Sequence, residues 1–391
     1  MGILDRYRTR ILDFLEISIL IFVYIYALGL FTSKSLISIG LGISCILWFI
    51  KAILEKNYNF CKTKLDFAII IFIVGLLFSL FDFWGEVVFG RSKFMIAILF
   101  YYVVVNSIKK IKHVKSLSYT VLVSASFASI YGLYQHYYLN ASRVDGFSFP
   151  LSFGGMLAII MMFTIGYIMS SKTNNKNKII LSGLTLLFGV NLLFTKSRGA
   201  WLGFLSAIPI LTWLRDKRLV IGFSVLLIIV AFLLPNVYIN RFKSSFNVTD
   251  NRSNLARIAL WKGSLLMLKD HPINGVGLGN FMNEYEAHYR QPHTTTTVHA
   301  HNNFLQFAAE TGLVGLSAFI FLMYKVLKVL YLGWKKIKGK WSLYLQGAFF
   351  SVIVFNVQGL TEFNFGDTEP LNLFWFMLAL CMVVLNNFEE N

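Results

Sequence analysis

The sequence predicts an all-α, polytopic membrane protein with about twelve transmembrane helices and one long helical loop outside the membrane. Three observations carry that expectation. Of 391 residues, 56% are hydrophobic and only 14% are charged, far less charge than a soluble domain of this size carries. The apolar residues fall in continuous runs near the length of about 20 that spans a bilayer as a helix. Positive charge falls mostly on alternate loops. Lipid satisfies no backbone polar group, so only helices or closed barrels can span it. A barrel would alternate polar and apolar residues with a period of two, and these runs do not.

Taken in order, spans are expected near residues 13–32, 35–54, 66–83, 94–108, 116–135, 148–170, 179–195, 199–214, 219–235, 303–324, 343–361 and 370–387. No small-residue cleavage site follows the first, which therefore reads as an anchor rather than a removed signal peptide. The run at 94–108 is short, and the two runs flanking Arg198 are nearly continuous. Residues 1–234 thus carry nine spans, residues 235–302 form the external loop, and residues 303–391 carry three more. Neither an internal repeat nor a linker stands out, apart from a polar turn at 170–178.

The net charge of +17 raises the possibility of nucleic-acid binding, but its distribution favours a membrane. With the N-terminus inside, the inner loops hold 23 of the 36 Lys and Arg, including Lys56 and Lys172. The short outer loops hold six: Lys34, Arg91, Lys93, Arg143, Lys196 and Arg198. This is the positive-inside pattern, and it places both termini in the cytosol and the long loop outside. Contact with anionic lipid accounts for the basic excess, and no nucleic-acid partner is expected. Cys45, Cys61 and Cys381 show no pairing by spacing, so no structural disulfide is expected.

Within the external loop, residues 254–270 read as an amphipathic helix with Leu255, Ile258, Ala259, Leu265 and Leu266 at helical spacing. Asp250 and Asn251 are plausible caps ahead of it, and His271-Pro272 stops it. Gly275-Val-Gly-Leu-Gly279 then makes a tight turn, and a second short helix begins near Asn280. That glycine run lacks the preceding strand of a dinucleotide site.

Isolated polar residues inside spans, such as Asn106, Asn191, Asn356 and Gln358, read as helix–helix glue. Charged residues at the outer span ends are more informative: Arg143, Lys196, Arg198, Glu310, Glu362, Asp367 and Glu369 gather at one mouth of the bundle. Arg198 lies in a tight turn that Gly199 permits. Its planar fork suits either a lipid phosphate, reached by snorkelling, or a bidentate grip on a substrate diphosphate, and spacing alone leaves both open. Arg257, four residues before Trp261, is either a solvated charge or a second phosphate contact. His288, His293, His299 and His301 crowd the end of the loop. His299-x-His301 could bind zinc, but no Cys joins it and Glu284 and Glu286 are distant in sequence, so no metal is expected. Histidine titrates near neutrality and suits general-base work on a hydroxyl; His301 could equally cap the helix it precedes. Asn303, Gln306 and Glu310 share one face of that helix, while Gly312 and Gly315 on another face allow close helix approach.

Four strings together resemble the bacterial O-antigen ligase and O-antigen polymerase superfamily. They are Arg143-Val-Asp-Gly-Phe-Ser-Phe-Pro150, Thr195-Lys-Ser-Arg-Gly-Ala-Trp-Leu-Gly203, the stretch from Trp261 through His271-Pro-Ile-Asn-Gly-Val-Gly-Leu-Gly-Asn-Phe281, and His301-Asn302 followed by Gly312 and Gly315. The last is similar to the signature of the ligases that join surface polymer to lipid A-core. The resemblance implies a GT-C-like fold in the bacterial inner membrane, with the site on the periplasmic or external face. It implies metal-independent, inverting transfer of a glycan from a polyprenyl (undecaprenyl) diphosphate to a sugar hydroxyl, of lipid A-core in a ligase or of another lipid-linked repeat in a polymerase. It further implies that Arg198 and Arg257 bind the diphosphate and that His301 activates the acceptor; Arg143, Asn302, Gln306 and Glu310 are candidates for a supporting role beside them. No cofactor is implied.

Two other classes are weighed against it. A transporter or flippase would show paired halves and helices broken at mid-membrane, and a scaffold would not concentrate Arg and His at one mouth. The topology is testable directly. A cysteine placed at Asn247 should react with an impermeant thiol reagent in intact spheroplasts; labelling only after lysis would reverse the orientation.

Overall fold

The computed structural model describes residues 3–55, 58–80, 92–170, 173–244, 251–292 and 299–389. The expected sites at Lys56, Arg91, Lys172, Asn247, Asp250 and His293, and the end of the expected span 66–83, lie outside the described residues. The rest is helical throughout, with no strand among the described residues.

Each of the twelve expected apolar runs contains a helix. Before the loop come α1 (Ile3–Thr32), α2 (Lys34–Leu54), α3 (Asp66–Phe78), α4 (Ser92–Ser107), α5 (Ile111–Tyr137), α6 (Pro150–Ile168), α7 (Asn175–Phe194), α8 (Arg198–Arg215) and α9 (Lys217–Leu233). The loop carries α10 (Asn236–Lys243), α11 (Arg252–Asp270) and α12 (Phe281–Glu284), the last running into a π-turn at Tyr285–Tyr289. After it come α13 (Asn303–Lys336), α14 (Lys340–Gln358) and α15 (Thr368–Glu389). Helices α1, α2, α5, α6, α7, α13 and α15 are each long and apolar enough to cross a membrane, and α3 and α4 are shorter apolar helices. The chain is a polytopic membrane protein.

Short breaks between helices follow from local capping. Ser33, Asn174 and Asp216 each accept a hydrogen bond from the first turn of the next helix, satisfying donors that a helix start leaves orphaned. Helix α15 lies deepest, buried along almost its whole length, with α6 and α14 beside it. Polar residues tie these helices together as expected of intramembrane glue. Gln358 Nε2 donates to the Leu151 carbonyl at 3.0 Å, and Tyr26 OH donates to Asn372 Oδ1 at 2.8 Å.

Three local expectations need correction. Gly199 does not form the turn before α8; Lys196 does, with φ of +50°. Gly199 instead lies within α8, where a Cβ would sit 2.3 Å from Thr361 Oγ1, so its lack of a side chain serves close packing. On α11 the buried side is Ala259, Leu260, Gly263, Ser264 and Met267, while Leu265 and Leu266 are exposed. The small residues won because a Cβ on Gly263 would lie 2.4 Å from the buried Tyr285 ring, a contact that leucines at that position could not make.

The third correction fixes the loop in place. Gly312 is not a helix–helix contact but a break inside α13, with φ of 62° and ψ of −163°. The loop fills that break. Leu313 N–H donates to the Pro272 carbonyl at 2.8 Å, Val314 N–H to that of Ile273 at 3.3 Å, and Val276 N–H to that of Ala309 at 2.9 Å. Backbone groups that the break frees are thereby satisfied by another segment, as burial requires. Contact is so close that a Cβ on Gly312 would lie 2.3 Å from the Ile273 carbonyl oxygen, and one on Gly275 2.4 Å from the Glu310 carbonyl carbon. Gly315 does serve close approach: a Cβ on Gly75 of α3 would come 3.5 Å from its Cα. Leu260, Met267, Val276, Phe281, Tyr285, Ala300 and Ala309 complete a small separate core beneath the loop.

Gly312→Ala should lower the unfolding temperature of the purified protein markedly. The positive φ alone costs on the order of 1–3 kcal/mol, and the clash is with backbone that cannot swing aside. Gly222→Ala, where a Cβ would meet nothing within 4 Å, should leave the temperature unchanged or slightly higher, as helix propensity predicts.

Candidate active site

The end of the loop is stitched to the turn between α14 and α15. Asn302 caps α13, accepting from the N–H groups of Phe304 and Leu305, and its Nδ2 donates to the Leu360 carbonyl at 3.0 Å. Asn303 N–H donates to the Gly359 carbonyl at 2.7 Å. Gln306 Oε1 accepts from Ala300 N–H at 2.6 Å, while Trp261 Nε1 of α11 donates to the Ala300 carbonyl at 3.2 Å. Asn302 and Gln306 therefore shape the loop end. Glu310 is fully buried on α13, beneath the Gly275 turn.

His301 has φ of +48°, a conformation uncommon outside glycine. In it, Nδ1 lies 2.8 Å from Glu362 Oε1. The carboxylate that meets His301 is thus Glu362, from the turn after α14, and not Glu310. Glu362 is only 4% exposed. Its Oε1 is also 4.0 Å from His299 Nε2, and its Oε2 is 3.8 Å from Arg257 Nη2. Burial by itself would push this carboxyl up. The His301 hydrogen bond and the charges of His301, His299 and Arg257 outweigh burial and hold it below its ordinary value. An ionised carboxylate only accepts hydrogen bonds, so in neutral His301 the proton sits on Nδ1 and the lone pair on Nε2. That is the tautomer a general base needs.

Four arginines cluster on one side of this pair, Arg257 against Glu362 itself and Arg143 near enough to feel its charge. Arg143 Nε donates to the Thr195 carbonyl at 2.8 Å, and Arg241 Nε to that of Lys196 at 3.4 Å. Arg198, 7% exposed, donates from Nη1 to the Ser244 carbonyl and from Nη2 to Asn254 Oδ1, each at 2.8 Å. It reaches inward to the loop and does not snorkel. Burial, followed by the charges of Arg241, Arg257 and Arg143, lowers Arg198 to about 10. Burial and neighbouring arginines lower Arg143 and Arg241 as well. Arg143 Nη2 and Arg257 Nε are buried without a hydrogen-bond partner among the described residues. Crowded cations with unspent donors make a site for a multivalent anion.

Two members of this cluster were not singled out by sequence reasoning. Arg241 was one of seven loop cations with nothing in its spacing to mark it. Its placement depends on Tyr238, one turn earlier, whose ring stacks near Phe194 at the end of α7. Glu362 was counted among the charges at the mouth, but its partner lies 61 residues earlier.

Ligand atoms of His299, His301 and Glu362 all lie within 4.8 Å of one another. The carboxylate missing from the sequence argument about zinc is therefore present in space, and two His with a carboxylate is a donor set that zinc accepts. Arg257 on the same carboxylate opposes a dication there.

A family model described as O-antigen ligase matches residues 183–320. The match covers about a third of the chain and supports a likeness to the O-antigen ligase and polymerase superfamily. The matched stretch runs from α7 to the middle of α13, and contains Arg198, Arg241, Arg257 and His301; Arg143 and Glu362 lie outside it. That family implies, in general terms, glycosyl transfer of the ligase or polymerase type. None of the curated proteins compared with the chain matches it.

Glu362→Gln should test the His301 pairing. The amide keeps the shape but can donate as well as accept, so it no longer fixes the tautomer. Turnover at saturating donor should fall by about 10²–10⁴-fold, while donor affinity holds or rises because Arg257 is released. Weakened donor binding with normal turnover would leave Glu362 a purely architectural role. Since the Glu362 carboxyl is depressed, the stability it contributes is present above the ordinary value of 4.5 and is lost as pH falls through its lower folded value.

Proposed function

We propose that the protein is a ligase-type glycosyltransferase that moves a glycan from a polyprenyl diphosphate, undecaprenyl diphosphate in bacteria, to an acceptor sugar hydroxyl at the outer face of the cytoplasmic membrane. Support comes above all from the His301–Glu362 pair standing beside four crowded arginines at the loop end of the bundle. His301 Nε2 takes the proton of the acceptor hydroxyl, and Glu362 stabilises the imidazolium that results. The acceptor oxygen attacks the anomeric carbon as its bond to the diphosphate breaks. The electron pair leaves with the diphosphate, whose growing charge Arg198 and Arg257 stabilise, with Arg143 and Arg241 adding to the field. Arg198 exchanges a loop hydrogen bond for a phosphate oxygen on binding. Attack from the face opposite the leaving group inverts the anomeric centre, and the arginines do the work that a metal would otherwise do. Polymerase chemistry uses the same machinery with a lipid-linked acceptor. The seven cations of the loop and the buried Arg–Glu–His cluster at one end favour either over a transporter.

With purified protein and a lipid-linked donor, His301→Ala should lose about 10²–10⁴-fold in turnover while keeping donor affinity. Arg198→Lys retains the charge but not the bidentate fork, and should lose both. Activity should persist in excess EDTA; loss restored by zinc alone would make His299, His301 and Glu362 metal ligands. Deleting the gene separates the two acceptor classes: lipid-linked polymer accumulating without attachment indicates a ligase, and retention of a single repeat indicates a polymerase.

A further inference from the structure

A cavity lies at the opposite end of the bundle from His301. It occupies ≈ 520 Å³ between α5, α6, α7, α14 and α15, within the range of about 300–1,000 Å³ that takes one small ligand. Helix α14 separates the two sites. Its C-terminal end meets the His301 cluster, its N-terminal end forms this cavity, and its 19 residues span about 28 Å at 1.5 Å per residue.

The cavity has two chemically distinct parts. Deep walls are apolar, built from Val121, Ile160, Phe163, Leu373, Phe376 and Leu380. The rim is polar and basic. Lys115 and Lys340 stand there, each ammonium 5.6 Å from the ring of Tyr119 or Trp341. Asn174 and Asn177 join them at the N-terminus of α7, and the N-terminus of α14 begins at Lys340. Two helix N-termini and two lysines all favour an anion at the rim. Tyr119 and Ile180, on facing walls of α5 and α7, are exposed, so the slot opens sideways, where an acyl chain could slide in.

We propose that this cavity binds an anionic phospholipid, one acyl chain in the apolar chamber and the phosphate between Lys115 and Lys340. A water-soluble anion has no use for the apolar depth, and a neutral lipid none for the two lysines. The positive-charge pattern assigns this end to the cytosol, the side rich in anionic lipid. The proposal does not rest on the transfer reaction, whose residues lie at the other end.

The test is native mass spectrometry of the purified full-length protein, titrated in detergent with phosphatidylglycerol or phosphatidylcholine. The wild type should retain one phosphatidylglycerol and far less phosphatidylcholine. Each lysine near a lipid surface contributes roughly fivefold, so Lys115→Gln with Lys340→Gln should weaken retention roughly thirtyfold. Lys325→Gln with Lys328→Gln, a matched loss of charge on α13 outside the cavity, should leave retention unchanged. Ile160→Phe, which fills the chamber, should abolish it; if that variant does not fold, the lysine pairs still decide. Equal retention of the two lipids, or equal loss in the two lysine pairs, would overturn the proposal. So would undecaprenyl phosphate displacing phosphatidylglycerol at equal concentration.

Discussion

The loop end of this protein depends on the cost of burying Glu362. An unpaired carboxylate in a protein interior costs several kcal/mol, and Glu362 is almost wholly buried. It is compensated by His301 and His299 from the end of the loop and by Arg257 from α11. The turn after α14 and the long loop are therefore stable only together. The same cluster is overcompensated. Burial, and after it the charges of neighbouring arginines, lower Arg143, Arg198 and Arg241, so repulsion is built into the free protein. An anionic substrate would relieve that repulsion on binding, which converts stored electrostatic strain into affinity for charge.

Compensation of this kind needs a rigid frame, and the frame is backbone. The segment from Pro272 to Val276 completes the hydrogen bonding of the broken α13, and Gly275 and Gly312 bring the two chains closer than any side chain allows. This lock sits beneath the separate small core of the loop. The first turns of α13, which carry Asn302, Asn303 and Gln306, are thus held by the loop on one side and by the α14–α15 turn on the other. His301 keeps its left-handed backbone between two fixed supports.

Which of these features could be read in advance follows from the range of the forces involved. Apolar runs were legible because lipid acts on every residue of a span separately. The start of α11 at Asn251 and its stop at His271 were legible because capping is local. The buried face of α11 was not, since two apolar stripes compete and only the Tyr285 ring, some 20 residues on, chooses the small one. The break at Gly312 looked like a packing glycine for a similar reason: its partner is a loop segment about 40 residues earlier. Arg143, Arg198, Arg257 and His301 were each visible as residue types suited to diphosphate and hydroxyl chemistry. Their convergence, and the addition of Arg241 and Glu362, is tertiary and has no sequence period.

The two ends of the bundle divide the basic residues by chemistry as well as by number. Around the exposed rim of the lipid-sized cavity the cations are lysines, and around Glu362 they are arginines. Burial accounts for the difference. Its surroundings lower Arg198 to about 10, and at that value the guanidinium remains fully charged at neutral pH. A lysine begins from about 10.4; lowered in the same direction by the same burial and neighbours, it would hold its charge by a smaller margin. A buried cluster of cations keeps its charge more securely when it is built of arginine, whereas a solvated rim carries no such restriction. The choice of residue at each end is therefore set by how much water the site admits, and the loop that covers the His301 end is what withholds it.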